Sequence, residues 1–255
     1  MARPLAINRH DRIRDYLDET GSVTVAELAD ELNVSRETIR RDLKLLSDRS
    51  ELDIVHGGAV RRQGVADAPS PLRAADNSGG KAAIARAAAG LVEDGMVVLL
   101  DSGATALAVA EALTAKTRLT IITNGLANAV LLARVPGFRV VMLGGEVDAS
   151  DEGSVGIDTI EMLKNYRVDV AFVAAGGIAA DGQPTDFSRV WAEQRKGMVA
   201  AAKRAYFIID SSKFERETPV RIEGIDSATG IIVDQSPEPP LVTAMAARGL
   251  EMLVA

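Results

Sequence analysis

Two kinds of residue cluster in this chain could do chemistry, and they lie in different parts of it. Near the N-terminus the run RETIRRDLKLL, residues 36–46, carries cations at Arg36, Arg40, Arg41 and Lys44. Guanidinium and ammonium groups on one face of a helix suit phosphate oxygens and base edges, so Ser35, Arg36, Thr38, Arg40, Arg41 and Lys44 are candidate contacts to double-stranded DNA. The second kind recurs further on, where small and hydroxyl-bearing residues directly follow apolar runs. These are DSGAT at 101–105, TNG at 123–125, LGGE at 143–146, AAGG at 174–177 and IDSSKF at 209–214. Glycines at a strand-to-helix turn expose backbone N–H groups at the positive end of a helix dipole, where a phosphate is favoured. Ser102 and Thr105 add hydroxyls to the backbone of Gly103, Ala104 and Gly144, Lys213 adds a point charge, and Asp101, Asn124 and Glu152 can accept from sugar hydroxyls.

The N-terminal cations need a helix held in register. Apolar residues at Ile7, Ile13 and Leu17, with Tyr16 beside them, predict a first helix ending at Gly21, and Leu28, Ala29 and Leu32 a second over roughly 25–32. Asn33 tolerates the left-handed backbone of a sharp turn, and Ser35 is a strong N-cap. In the third helix Ile39, Leu43 and Leu46 face inward, which turns Arg36, Glu37, Arg40, Arg41 and Lys44 outward. A small Ala29 permits a close helix crossing. ELDIVHGGAV, 51–60, predicts two short strands around a turn, with Gly57 and Gly58 allowing positive φ or close approach. His56 and the Arg61–Arg62 pair are within reach of a phosphate in that arrangement, although a packing role for His56 is an equal alternative. The reading is a winged helix-turn-helix over 1–62.

Residues 63–80, QGVADAPSPLRAADNSGG, lack sustained periodicity and read as a linker or a loosely docked arm. Over 81–255, apolar strand-length runs such as MVVLLD, LTIITN, FRVVML, VDVAFV, AYFIID, GIIVD and LEMLVA alternate with helical stretches. That alternation predicts an α/β domain with a mostly parallel sheet covered on both faces, whose ligand lies at the strands' C-terminal ends. Segment 185–196, TDFSRVWAEQRK, holds the single Trp. Trp191 packs on the sheet or on a partner subunit, or else Asp186, Arg189 or Arg195 lines the ligand mouth.

Composition narrows the classes. The 255 residues are 47% hydrophobic and 25% charged, which excludes a disordered chain, and no apolar run reaches the length of a membrane span. There is no cysteine, hence neither disulfide nor thiolate metal site, and the N-terminus lacks an export signal's apolar core. Neither a metal nor a cofactor is expected, and the expected location is cytoplasmic. Net charge is −7: residues 1–62 hold 11 basic and 12 acidic side chains, so neither part is basic overall and a DNA contact must rest on a local face.

The run VSRETIRRDLKLL followed by HGGAV resembles the N-terminal domain of the DeoR family of bacterial sugar-metabolism regulators, for which TIRRDL and HGGA are diagnostic. Family members commonly have Gly-apolar-apolar-x-Arg before HGGA, whereas Ser50 and Ile54 stand near those places here, so a wing arginine contact is not implied. DSGAT resembles the family's DSGTT phosphate loop, VVMLGGE with EGSVG its LGG stretch, and IDSSKF its D-x-SKF motif. The second domain is similar to ribose-5-phosphate isomerase and glucosamine-6-phosphate deaminase, with a Rossmann-like sheet. The resemblance implies that Ser102, Gly103, Ala104 and Thr105 hold an effector's phosphate with Lys213 nearby, and that Ala104 lacks one hydroxyl the family usually has.

A sugar-phosphate isomerase is the alternative reading. No HxH, HExxH or GxSxG pattern is present and both histidines lie before residue 62, although a carboxylate pair could serve as acid and base. A helix-turn-helix has no role in isomerisation, and a pure adaptor would leave the basic helix face without purpose. The expectation is therefore a homo-oligomeric repressor, dimer or tetramer, whose operator affinity a sugar phosphate shifts.

Overall fold

A computed structural model describes residues 6–20, 22–48, 52–55, 57–61, 77–149 and 151–255. The chain divides into two compact units, Met1–Val65 and Ala66–Ala255.

In the first unit, α1 (Ala6–Thr20), α2 (Val25–Glu31) and α3 (Arg36–Asp48) are accompanied by three strands: β1 (Ser22–Thr24), β2 (Leu52–Val55) and β3 (Gly58–Arg61). The strands form an antiparallel sheet in the order β1-β3-β2. β1 has only three residues and no apolar alternation long enough to announce a strand in the sequence. Its pairing explains Gly58, because a Cβ there would meet the Val23 carbonyl oxygen at 2.1 Å. Gly57, at φ +86°, makes the turn. Ile13, Leu17, Leu28, Ala29, Ile39, Leu43, Leu46, Leu52 and Ala59 form one core, which includes the inward faces expected of all three helices. Thr24 caps α2 in a reciprocal box with Glu27: its hydroxyl accepts from Glu27 N, and Thr24 N donates to the Glu27 carboxylate.

The second unit opens with α4 (Ser78–Gly90), which begins inside the stretch expected to be linker. The reason is Asn77, whose side chain accepts from Gly80 N and so caps the helix before the alanine-rich periodicity becomes visible. Next come β4 (Val97–Leu100), α5 (Ala104–Leu113), β5 (Thr120–Thr123), α6 (Leu126–Leu132) and β6 (Arg139–Met142). A hairpin of β7 (Glu146–Asp148) and β8 (Gly153–Val155) precedes α7 (Ile157–Leu163) and β9 (Val168–Val173). A small antiparallel sheet of β10 (Gly177–Ile178), β11 (Pro184–Asp186) and β13 (Val220–Arg221) brackets α8 (Arg189–Ala201) and β12 (Ala202–Ile208). The chain ends with β14 (Gly230–Val233), α9 (Pro239–Ala247) and β15 (Glu251–Val254).

The main sheet has seven parallel strands in the order β15-β14-β12-β9-β4-β5-β6. Alternate residues feed two cores on its two faces. Val98, Leu100, Val170 and Phe172 pack with Ile84, Val109 and Leu113 of α4 and α5, while Leu99, Ala171 and Val173 pack with Met198 and Val199 of α8. Successive strands run outward from β4 through β5 to β6, then resume at β9 on the other side of β4. The order therefore reverses between β4 and β9, and at such a switch point the loops leaving the two strands diverge and open a crevice.

Candidate functional site

In the first unit the side chains expected to meet DNA occupy one exposed helix face. Arg36, Arg40, Arg41 and Lys44 of α3 are all exposed, with Glu37 among them, 3.5 Å from Arg41 and 3.9 Å from Arg40. These ion pairs are solvated and hold the arginines only weakly. Asn33 takes φ +50°, as the sharp turn requires. Ser35 and Thr38 belong chiefly to the helix start rather than to its outer face. Ser35 Oγ accepts from Thr38 N at 3.1 Å and shares a hydrogen bond with Thr38 Oγ1 at 2.8 Å, so both hydroxyls are engaged in capping α3. His56 and Arg62 lie outside the described residues. Ile54, in the wing, is exposed.

A buried link absent from the sequence reading fastens this helix. Asp42, one helical turn from Ile39 on the inward side, accepts two hydrogen bonds from Arg9 of α1, at 2.8 and 3.0 Å, and lies 3.0 Å from His10 Nε2. Burial alone would raise the Asp42 carboxyl's pKa, but hydrogen bonds and charge from Arg9 and His10 outweigh it and hold the group below its ordinary value. The Arg9 guanidinium is raised correspondingly, first by its hydrogen bond to Asp42. The signal was available in principle, since an acid on the inner face between Ile39, Leu43 and Leu46 demands a partner.

In the second unit, DSGAT leaves β4 at the switch point. Asp101 was expected to accept from a ligand's hydroxyls, yet it is fully buried and its oxygens are engaged by the protein. Oδ1 accepts from Ser102 N at 2.8 Å, and Oδ2 accepts from Ala174 N at 3.0 Å and from Arg195 Nε at 2.9 Å. Because Ala174 follows β9, Asp101 ties together the two strands between which the crevice opens. Its role is to shape the loop, a consequence of its place at the first bend after a central strand.

Gly103, at φ +93°, is the N-cap of α5, and no side chain caps that helix. The first N–H groups at Ala104 and Thr105 are thus left at a positive helix end. Beside them, Asn124 Nδ2 approaches Ser102 Oγ at 3.4 Å and the Ser154 carbonyl at 3.3 Å. Gln194 Nε2 donates to the same Ser154 carbonyl at 3.1 Å. The acceptor oxygens of both amides, Asn124 Oδ1 and Gln194 Oε1, are buried without a hydrogen-bond partner. Gly153 completes this packing, for a Cβ there would lie 2.7 Å from Ser102 Oγ and 3.2 Å from the Trp191 ring.

The structure therefore brings together Ser102, Gly103, Ala104, Thr105 and Asn124. Asp101 anchors that loop from within the fold, while Gly144, Lys213 and Glu152 stand outside the group. Gly144 is exposed after β6, with its N–H toward Met162 Sδ at 3.4 Å. Lys213 sits on the short 3-10 turn after β12, two strands from β4 and hence about 10 Å across the sheet. Glu152, at φ +48° in the β7–β8 turn, is exposed and lines a surface groove beside α6.

Arg195 is the hub the sequence only hinted at. Its side chain is 5% exposed; besides Asp101 it pairs closely with Asp186 and lies 3.6 Å from Asp151, and its guanidinium stands 5.0 Å from the Trp191 ring centre. Trp191 is itself buried against this cluster, whereas Arg189 is exposed. One cation thus joins the β4 loop, the small sheet at β11 and the β7–β8 turn. A second buried pair, Lys81 of α4 with Asp210 at 3.5 Å, lies at the end of β12, where Asn77 Nδ2 also reaches Asp234 at 2.9 Å. Among the described residues no group of acidic and histidine side chains could hold a metal ion.

The arrangement of a helix-turn-helix with a parallel-sheet domain defines a regulator, and comparison with known proteins gives its kind. Residues 9–64 match the DeoR-like helix-turn-helix domain and residues 76–235 the DeoR C terminal sensor domain. The chain belongs to the DeoR family and is a DNA-binding transcriptional repressor with a C-terminal sensor domain. It is 30% identical to the HTH-type transcriptional repressor CsqR of Escherichia coli over 96% of this chain and 94% of that one. It is also 30% identical to the Glycerol-3-phosphate regulon repressor of the same organism, over 93% of each chain. With the Transcriptional repressor AccR of Agrobacterium fabrum it shares 33% identity over 91% of this chain and 93% of that one. Among solved structures, ribose 5-phosphate isomerase A from Methanocaldococcus jannaschii resembles it over 55% of each chain, at 22% identity and a TM-score of 0.40. Among the described residues no helix is long and apolar enough to cross a membrane.

Proposed function

We propose that the sensor unit binds a phosphorylated sugar or short polyol at the β4–β9 switch point and that binding lowers the repressor's affinity for a double-stranded DNA operator. The observation that carries this reading is the adjacency of an uncapped helix start, Gly103–Ala104–Thr105, to buried acceptor oxygens without partners, Asn124 Oδ1 and Gln194 Oε1. The first suits a phosphate and the second suits hydroxyl donors. On the DNA side, Arg36, Arg40, Arg41 and Lys44 make the contacts, with Ser35 and Thr38 fixing the helix start. The protein acts in the cytoplasm as a homo-oligomer and catalyses no reaction; its relatives are repressors, and both Asp101 oxygens are engaged in holding the fold.

The test is a thermal-shift panel of sugar phosphates against their unphosphorylated parents, headed by glycerol 3-phosphate because one relative is named for it, followed by operator mobility shifts. Stabilisation is expected from a phosphate and not from its parent, growing logarithmically with concentration above Kd. Thr105→Ala should weaken that response and the same ligand should release DNA. Silence across all phosphates would overturn the effector assignment, and turnover of any panel member would replace it with an enzyme.

A further inference from the structure

Beside the candidate effector site, α6 carries an apolar groove lined by Leu126, Ala127, Val130 and Leu131 and bounded by Arg134 and Glu152. Leu126 and Val130 are 38% and 56% exposed, large for side chains one turn apart on one helix. The two charges mark opposite ends. Glu152 is fixed at the start of α6, since its carbonyl accepts from Leu126 N at 2.9 Å, and Arg134 follows the helix C-terminus, with its N–H toward the Leu131 carbonyl at 3.3 Å. From residue 126 to residue 134 is about 12 Å of helical rise. Neither side chain has an ion-pair partner among the described residues.

We infer that this groove is the contact with a second copy of the chain, α6 packing antiparallel on α6 about a two-fold axis. A surface with an acid at one end, a base at the other and an apolar centre is complementary to itself after a half turn. Each Arg134 then meets the partner subunit's Glu152, and the Leu126 and Val130 pairs lose their exposure to water between the two ion pairs. Leu126 and Val130 alone fall short of the roughly 800 Å² per partner of a stable interface. In the proposed contact Val147 of β7, 60% exposed, and Ile157 of α7, 78% exposed, would supply the further apolar area. The inference rests on the homo-oligomer reading and adds a route for control. Asp151, which reaches Arg195 behind the effector site, is the chain neighbour of Glu152. One turn of chain therefore serves both the ligand cluster and the subunit contact.

The experiment uses the full chain and light scattering or sedimentation velocity. The unaltered protein should run as a dimer or larger, while Arg134→Glu and Glu152→Arg should each dissociate it to a smaller species at the same concentration. An equimolar mixture of the two variants should reassemble, because only a contact between copies then pairs glutamate with arginine at both ends. Val130→Glu should dissociate the assembly without rescue. Circular dichroism identifies a variant that fails to fold, and Val130→Glu then carries the test. The inference is overturned by an unaltered chain that is monomeric, by a folded single variant that keeps the full mass, or by a mixture that stays apart. The effector reading fails on the ligand panel and the interface on mass, so the two failures are distinct.

Discussion

The two units use arginine in opposite ways. Arg40 and Arg41 stand in water, loosely paired with Glu37, and their charge is available to a partner. Arg195 is buried among Asp101, Asp151 and Asp186, and its charge is available only to the fold. Exposed cations suit contact with a ligand, whereas a buried cation holds the walls of a crevice in place. The same substitution should separate the two. Arg195→Ala leaves three acids without their common cation, which for a buried pair costs about 3–5 kcal/mol. The sensor unit should therefore unfold at markedly lower urea, followed by Trp191 fluorescence. A loss within about 0.5 kcal/mol, the usual range for surface changes, would mean that Arg195 belongs with Arg40 rather than with the core.

Arg40→Ala and Arg41→Ala should do the reverse. Stability should stay within about 0.5 kcal/mol, while each change weakens operator binding by about 1–3 kcal/mol if it removes a base contact, or lowers the salt slope by about one if it removes a phosphate contact. Mobility shifts at several salt concentrations distinguish the two. Unchanged affinity and slope in both variants would sink the assignment of α3 as the recognition helix.

The same contrast explains what could be read from the sequence. An exposed charged face on a helix is legible, because the 3.6-residue period that buries Ile39, Leu43 and Leu46 necessarily turns Arg36, Arg40, Arg41 and Lys44 outward. Strand ends are legible as places: glycine and hydroxyl residues after apolar runs located the β4 and β5 loops correctly. Partnerships across the sheet are not legible. Nothing local relates Asp101 to Arg195, 94 positions apart, or joins Asn124 and Gln194 through the Ser154 carbonyl. Glu152 and Asp151 are adjacent acids in the sequence, and only the hairpin turn sends one toward Arg195 and the other to the groove.

The smallest effect concerns Asp42, which blurs the division between units because it is a buried acid serving an exposed face. Hydrogen bonds to a charged group exceed those to a neutral one by about 1 kcal/mol, so Asp42→Asn should destabilise the N-terminal unit by that amount at neutral pH. Since the folded carboxyl titrates below its ordinary value of 3.8, its contribution is complete above that pH and disappears as the pH falls through the lower folded value. The difference between Asp42→Asn and the unaltered unit should therefore shrink on acidification, as measured by helical circular dichroism in urea at stepped pH. A gap that persists well below pH 3.8 would show that shape, not charge, joins Arg9 and His10 to α3. Operator affinity sharpens the point: if the pair with Arg9 sets the angle of the recognition helix, Asp42→Asn weakens DNA binding without changing any residue on the exposed face.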